Sequence, residues 1–195
     1  MGEPSYTARL ARLQGARWKR LLDVQRPYRR HLRRLDLGFV LDVGCGIGRN
    51  LVNLGGRAAG VGVDVDAESV AACERRGLTA FTPESFRASA HARPGRFDAL
   101  LCAHVLEHLG PAEAEALLAE YLPYVRGGGR AVLITPQEAG FASDATHAQF
   151  VDLAALNRVA RAAGLDPERG YSFPFPRAAG RVFKYNEFVL VARKP

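Results

Sequence analysis

Leu41-Asp42-Val43-Gly44-Cys45-Gly46-Ile47-Gly48 is the stretch on which the reading of this chain turns. It continues an apolar run from Gly38 and ends in alternating glycines. A short apolar run bounded by such a turn reads as a buried strand. Glycine there lets backbone approach a ligand with no Cβ in the way. Working outward, strand patterns recur at 59–64, 79–81, 97–102, 130–134, 169–174 and 187–193. Helical patterns lie between them at 48–55, 67–76, 111–125 and 149–163. Alternation of this kind predicts an α/β fold with a doubly wound, mostly parallel seven-stranded sheet, because parallel neighbours need crossover connections. No convincing helix separates the last two strands, so the final one is expected to enter antiparallel. The segment 135–147 reads as a long polar loop leaving the fifth strand.

The 195 residues are 48% hydrophobic and 24% charged, which excludes a disordered chain and suits one domain. No apolar run reaches the roughly 18–20 residues of a membrane span. The start Met1-Gly2-Glu3-Pro4-Ser5 has no apolar signal core, so the expected location is cytoplasmic. Three cysteines are too few and too scattered for a disulfide framework or a zinc knuckle. The net charge of +7 is concentrated at one end: residues 1–36 carry ten basic and three acidic side chains, and the remainder balances. Leu10, Leu13, Leu21, Val24 and Tyr28 recur at helical spacing among these arginines, with a break or bend expected near Pro27. The division is therefore a basic helical extension over 1–36 and a main domain over 37–195. The extension attracts anionic partners, nucleic acid included, or is a solvated helix face. No pattern speaks for an oligomeric state.

In an open α/β sheet, ligands bind beyond the carboxyl ends of the strands. Asp64 ends the second strand twenty residues after Gly44, where a carboxylate can accept from both ribose hydroxyls. A dinucleotide fingerprint would need glycine at position 49, which is Arg49. Asp42 ahead of the turn would repel a pyrophosphate and suits a ligand bearing an ammonium group. S-adenosylmethionine has that group, a ribose diol and a cationic sulfur.

Leu41 through Gly48 resembles the first motif of the class I S-adenosylmethionine-dependent methyltransferases, a Rossmann-like superfamily. Val61-Gly62-Val63-Asp64 resembles their acidic second-strand motif, and Gly127-Gly128-Gly129-Arg130 resembles the approach to their fifth strand. Phe97-Asp98 through Val105-Leu106-Glu107-His108 is similar to the small-molecule branch that includes ubiquinone-biosynthesis O-methyltransferases. The resemblance implies S-adenosylmethionine as cofactor. It implies Asp42 at the methionine ammonium and backbone of Gly44, Cys45 and Gly46 around the amino-acid moiety. It further implies Asp64 on the ribose, Val65 against the adenine, a loop over 82–86 that brings Ser85 and Phe86 to the adenine edge, and Cys102 near the methyl group.

Methyl transfer is an in-line displacement that rewards alignment, and an oxygen acceptor also benefits from a base of near-neutral pKa. His104, after the fourth strand, and His147, in the 135–147 loop, are the catalytic candidates. Tyr28 and Arg29 of the extension are candidates for substrate or cofactor contact, with Trp18 and Gln25 beside them as lid residues. Glu107 and His108 are adjacent and Asp144 and His147 three apart, neither a recognisable ligand spacing, so no metal is expected. The expectation is a methyltransferase acting on a small-molecule acceptor, most simply at oxygen, with nitrogen and carbon also open. An RNA methyltransferase using the basic segment and a non-catalytic cofactor-binding module stay open beside it.

Overall fold

A computed structural model of the protein describes residues 25–195. Seven strands form one sheet in the order β3-β2-β1-β4-β5-β7-β6, flanked by helices, with the expected antiparallel final strand. This is a Rossmann-like, mostly parallel sheet. Among the described residues no helix is long and apolar enough to cross a membrane. Backbone contacts group the described residues into two compact units, a first ending at Ser89 and a second over Ala90–Pro195.

Within the first unit, helix α1 spans Arg26–Arg34, with Pro27 in its first turn. A proline in the first turn loses no hydrogen bond, so it suits the start of this helix. The upstream periodicity and Trp18 lie outside the described residues. Strand β1 (Val40–Val43) runs parallel to β2 (Gly60–Val63), which runs parallel to β3 (Ala80–Phe81). All eight residues of β1 and β2 are buried, as expected of strands covered on both faces. Helix α2 (Arg49–Leu54) follows the glycine turn, and α3 (Ala67–Arg75) starts on an Asp66 side chain that accepts from the Glu68 N–H. Cys45, Leu51, Val70, Cys73, Leu78 and Ala80 make one core cluster. The expected loop at 82–86 is instead a short helix, α4 (Pro83–Arg87), started by a Thr82–Ser85 capping box.

In the second unit, β4 (Phe97–Ala103) pairs parallel with β5 (Val125–Pro136). The fifth strand therefore absorbs the glycines and the start of the loop expected after it. Helix α5 (Pro111–Tyr121) lies between them, and α6 (Glu138–Phe141) is a single turn within the former loop. Helix α7 (Leu153–Ala162) packs against α5 and against β6 (Asp166–Phe173) and β7 (Glu187–Arg193). β7 lies between β5 and β6 and is antiparallel to both. Phe188-Val189-Leu190-Val191-Ala192 is buried throughout, whereas β6 is polar and part-exposed, as an edge strand should be.

Candidate functional site

The first unit supplies a glycine turn clasped by a carboxylate. Gly44, Gly46 and Gly48 have φ of 73°, 50° and 79°, in the left-handed region that favours glycine. The Gly44 and Cys45 N–H groups both donate to the Val63 carbonyl, at 2.8 and 3.1 Å, which folds the turn over the end of β2. Asp64 Oδ2 accepts the Gly46 N–H at 2.7 Å, and Oδ1 accepts the Asp66 N–H at 2.9 Å. Each carboxylate oxygen keeps a further acceptor direction, the capacity two ribose hydroxyls need. Val65, next in sequence, is 86% exposed, an apolar side chain open to a flat ring.

Asp42 is fully buried, and its Oδ2 has no hydrogen-bond partner. Burial is the main cause that pushes its carboxyl up to about 7, against a smaller downward pull from Asn50 and Arg49. Asn50 Nδ2 donates to Asp42 Oδ1 at 3.1 Å, and the Tyr28 hydroxyl donates to Asn50 Oδ1 at 3.3 Å. The Arg49 guanidinium sits 5.1 Å from the Tyr28 ring centroid. The extension thus reaches the turn through Tyr28 and Asn50. Sequence reasoning passes over Asn50, although a polar residue in the first helical turn after the glycines is the signal available for it. An orphaned buried carboxylate oxygen, a positive-φ turn and an Asp64 with spare acceptor capacity fit the cationic, ribose-bearing cofactor.

Other candidates fall elsewhere. Phe86 is 0% exposed in α4, where the hydrophobic face of that short helix turns it into the core near Phe81. Ser85 is exposed, with its hydroxyl engaged in the Thr82 capping box. Cys45 and Cys102 are buried. Arg29 shares an open groove on α1 with Arg26, Arg30, Arg33 and Arg34.

The second unit gathers histidines around carboxylates. His104 follows β4 with φ of 60°, a conformation that non-glycine residues adopt at a cost and that concentrates at functional positions. Its Nε2 lies 2.8 Å from Glu187 Oε1 and its Nδ1 3.3 Å from Glu107 Oε1. Burial is the largest influence and pulls His104 down. The facing Glu187 and Glu107 together outweigh it and carry the imidazole up to about 9. His147 Nε2 lies 4.0 Å from the same Glu107 Oε1, and His147 Nδ1 is 2.8 Å from the Phe141 carbonyl. The ring of His147 stacks on Phe141. Glu107 is fully buried, and neither of its oxygens completes a hydrogen bond. Its backbone carbonyl accepts the Ala148 and Gln149 N–H groups at 2.9 and 3.0 Å, pinning the His147 loop to the turn after β4. The structure therefore brings His104 and His147 to one carboxylate, and Glu107 is the member that sequence reasoning missed as a hub.

Residues 40–129 match the family described as a methyltransferase domain. Among solved structures, an S-adenosylmethionine-dependent methyltransferase from Archaeoglobus fulgidus is similar at 19% identity and a TM-score of 0.66, covering 89% of this chain and 99% of that one. The complex of the Haloferax volcanii Trm112 methyltransferase activator and the putative methyltransferase contains a chain similar at 16% identity and a TM-score of 0.69, with 100% of each covered. The Burkholderia thailandensis 1,6-didemethyltoxoflavin-N1-methyltransferase, with 1,6-didemethyltoxoflavin and S-adenosylhomocysteine bound, is similar at 23% identity and a TM-score of 0.59, covering 87% and 77%. No curated protein matches.

Proposed function

We propose that this chain, an enzyme carrying a methyltransferase domain, transfers a methyl group from S-adenosylmethionine to a small-molecule acceptor, at oxygen. The cofactor is S-adenosylmethionine, and when bound it supplies a methyl carbon already activated by a sulfonium. The observation that carries the reading is the Asp64 clasp on Gly46, with spare acceptor capacity beside exposed Val65. Asp64 orients the ribose, and the positive-φ glycines admit the amino-acid end. Asp42 supplies negative charge to that end through Asn50.

His104 and His147 are the candidates for handling the acceptor proton. His104 has both ring nitrogens against carboxylates and no lone pair to offer. His147 donates its Nδ1 proton to Phe141, because a carbonyl can only accept, and so keeps a lone pair on Nε2. A histidine lone pair beside a carboxylate supports an oxygen acceptor, whose proton must be removed. The small-molecule class is supported by the Burkholderia neighbour, which is crystallised with a small heterocycle. The arginine groove on α1 favours a second reading, RNA as acceptor.

Calorimetric titration with S-adenosylmethionine and S-adenosylhomocysteine tests the cofactor site. Saturable binding is expected for wild type, with Asp64→Ala weakening it at least about tenfold, the loss of charge-assisted hydrogen bonds. Equal binding by the variant would remove Asp64 from the site. No binding by folded wild type would sink the reading.

A further inference from the structure

We propose that Glu107, His108 and His147 hold a divalent transition-metal cation of zinc-like ligand preference. One ligand atom from each of the three lies within 4.8 Å of the other two. Tetrahedral ligands about 2.1 Å from a zinc ion sit about 3.4 Å apart, so side-chain adjustment of an ångström or so closes the site.

Three further observations point to a cation. Glu107 is wholly buried, neither oxygen completes a hydrogen bond, and its one close cationic neighbour is His104, 3.3 Å from Oε1, which leaves Oε2 to a further positive partner. Both histidines are also set in the ligating tautomer. His108 Nδ1 is 3.0 Å from the Thr146 carbonyl and His147 Nδ1 is 2.8 Å from the Phe141 carbonyl. Each Nδ1 therefore carries the proton, and each Nε2 presents a lone pair. A backbone carbonyl fixing the far nitrogen is the outer-shell support that metal-bound histidines characteristically have. Finally, the two rings are already neighbours, with centroids 4.9 Å apart, and the Glu107 carbonyl fastens the loop that brings His147.

Two imidazoles and one carboxylate prefer a borderline ion to magnesium or calcium, which favour all-oxygen sites. Three protein ligands leave a coordination position open to a water or an oxygen ligand, as in reactive rather than structural zinc sites. The ion would take the Nε2 lone pair of His147, so the base role proposed for that residue belongs to the metal-free protein. The inference stands on this side-chain geometry alone and does not rest on the cofactor reading.

The test uses full-length protein purified without a metal-affinity tag and stripped with EDTA. It is titrated with zinc by calorimetry and with cobalt(II) by visible absorption. One ion per chain is expected, with cobalt bands of a low-coordinate site. His108→Ala and His147→Ala should each weaken zinc binding at least about tenfold, with Glu107→Gln alongside and His91→Ala as a control. His108 is part-exposed, so its variant keeps the test decisive where Glu107→Gln fails to fold. Absence of stoichiometric binding by folded wild type would overturn the proposal. So would ligand variants that bind as His91→Ala does.

Discussion

Asp42 carries a buried carboxyl raised to about 7 by desolvation, and this makes its protonation a reporter of what binds beside it. A carboxyl whose folded value exceeds its unfolded one stabilises the fold most below the unfolded value. That contribution is lost as pH rises toward the folded value. For Asp42 the loss runs from 3.8 to about 7 and then stops. Asp42→Asn should therefore gain stability relative to wild type across that window, by up to a few kcal/mol, measurable as denaturation midpoints at pH 5 and pH 8. A cation entering the site favours the ionised carboxylate, so cofactor affinity should rise with pH up to about 7 with release of protons. Calorimetry in buffers of different ionisation enthalpy should give different apparent heats for wild type near pH 6.5 and the same heat for Asp42→Asn. Identical heats for wild type would separate Asp42 from the bound ammonium. Asp42 and Asp64 were readable as candidates because their spacing from the glycines is local chemistry. Glu107 and His147 are forty residues apart and meet only through a loop pinned by backbone hydrogen bonds, which no local pattern encodes.

At the level of elements, the glycine turn depends on a second glycine outside it. A Cβ at Gly62 on β2 would stand 2.5 Å from Cys45 Sγ and 2.9 Å from Cys45 Cβ, so this strand can lie under the turn only without a side chain. Gly62→Ala should push Cys45 outward and destabilise the protein by about 1–3 kcal/mol, the usual cost of overpacking. The expected readout is a lower melting temperature together with weaker S-adenosylmethionine binding. An unchanged melting temperature would mean that the turn yields without cost and is not rigidly held. Strand and helix alternation was legible almost throughout, because hydrophobic periodicity and glycine stops act locally. The ends of β5 and the turn α4 were not, since they are decided by strand pairing and by a capping box. Phe86 shows the consequence: a loop residue can turn toward a ligand, whereas the same residue on a capped helical turn is carried into the core.

For the molecule as a whole, charge discriminates between acceptor classes. The +7 net charge equals the excess of residues 1–36, and the part of it in α1 presents five arginines along one open groove. A polyanion bound there releases counterions, and its affinity falls steeply with salt, with a log–log slope of about −0.7 per phosphate neutralised on a single strand. A small acceptor makes no such set of contacts. Methyl transfer to a small neutral acceptor should therefore change less than about threefold in kcat/KM between 50 and 200 mM salt, whereas transfer to RNA through several arginines should fall by about two orders of magnitude or more. Replacing Arg26, Arg30 and Arg34 together by Gln sharpens the comparison. An RNA substrate would lose affinity and about two units of salt slope, while S-adenosylmethionine binding, which we propose uses Asp42, the glycine turn and Asp64, should stay as in wild type. A steep salt dependence that these substitutions flatten would transfer the acceptor assignment from small molecule to nucleic acid, and leave the cofactor assignment untouched.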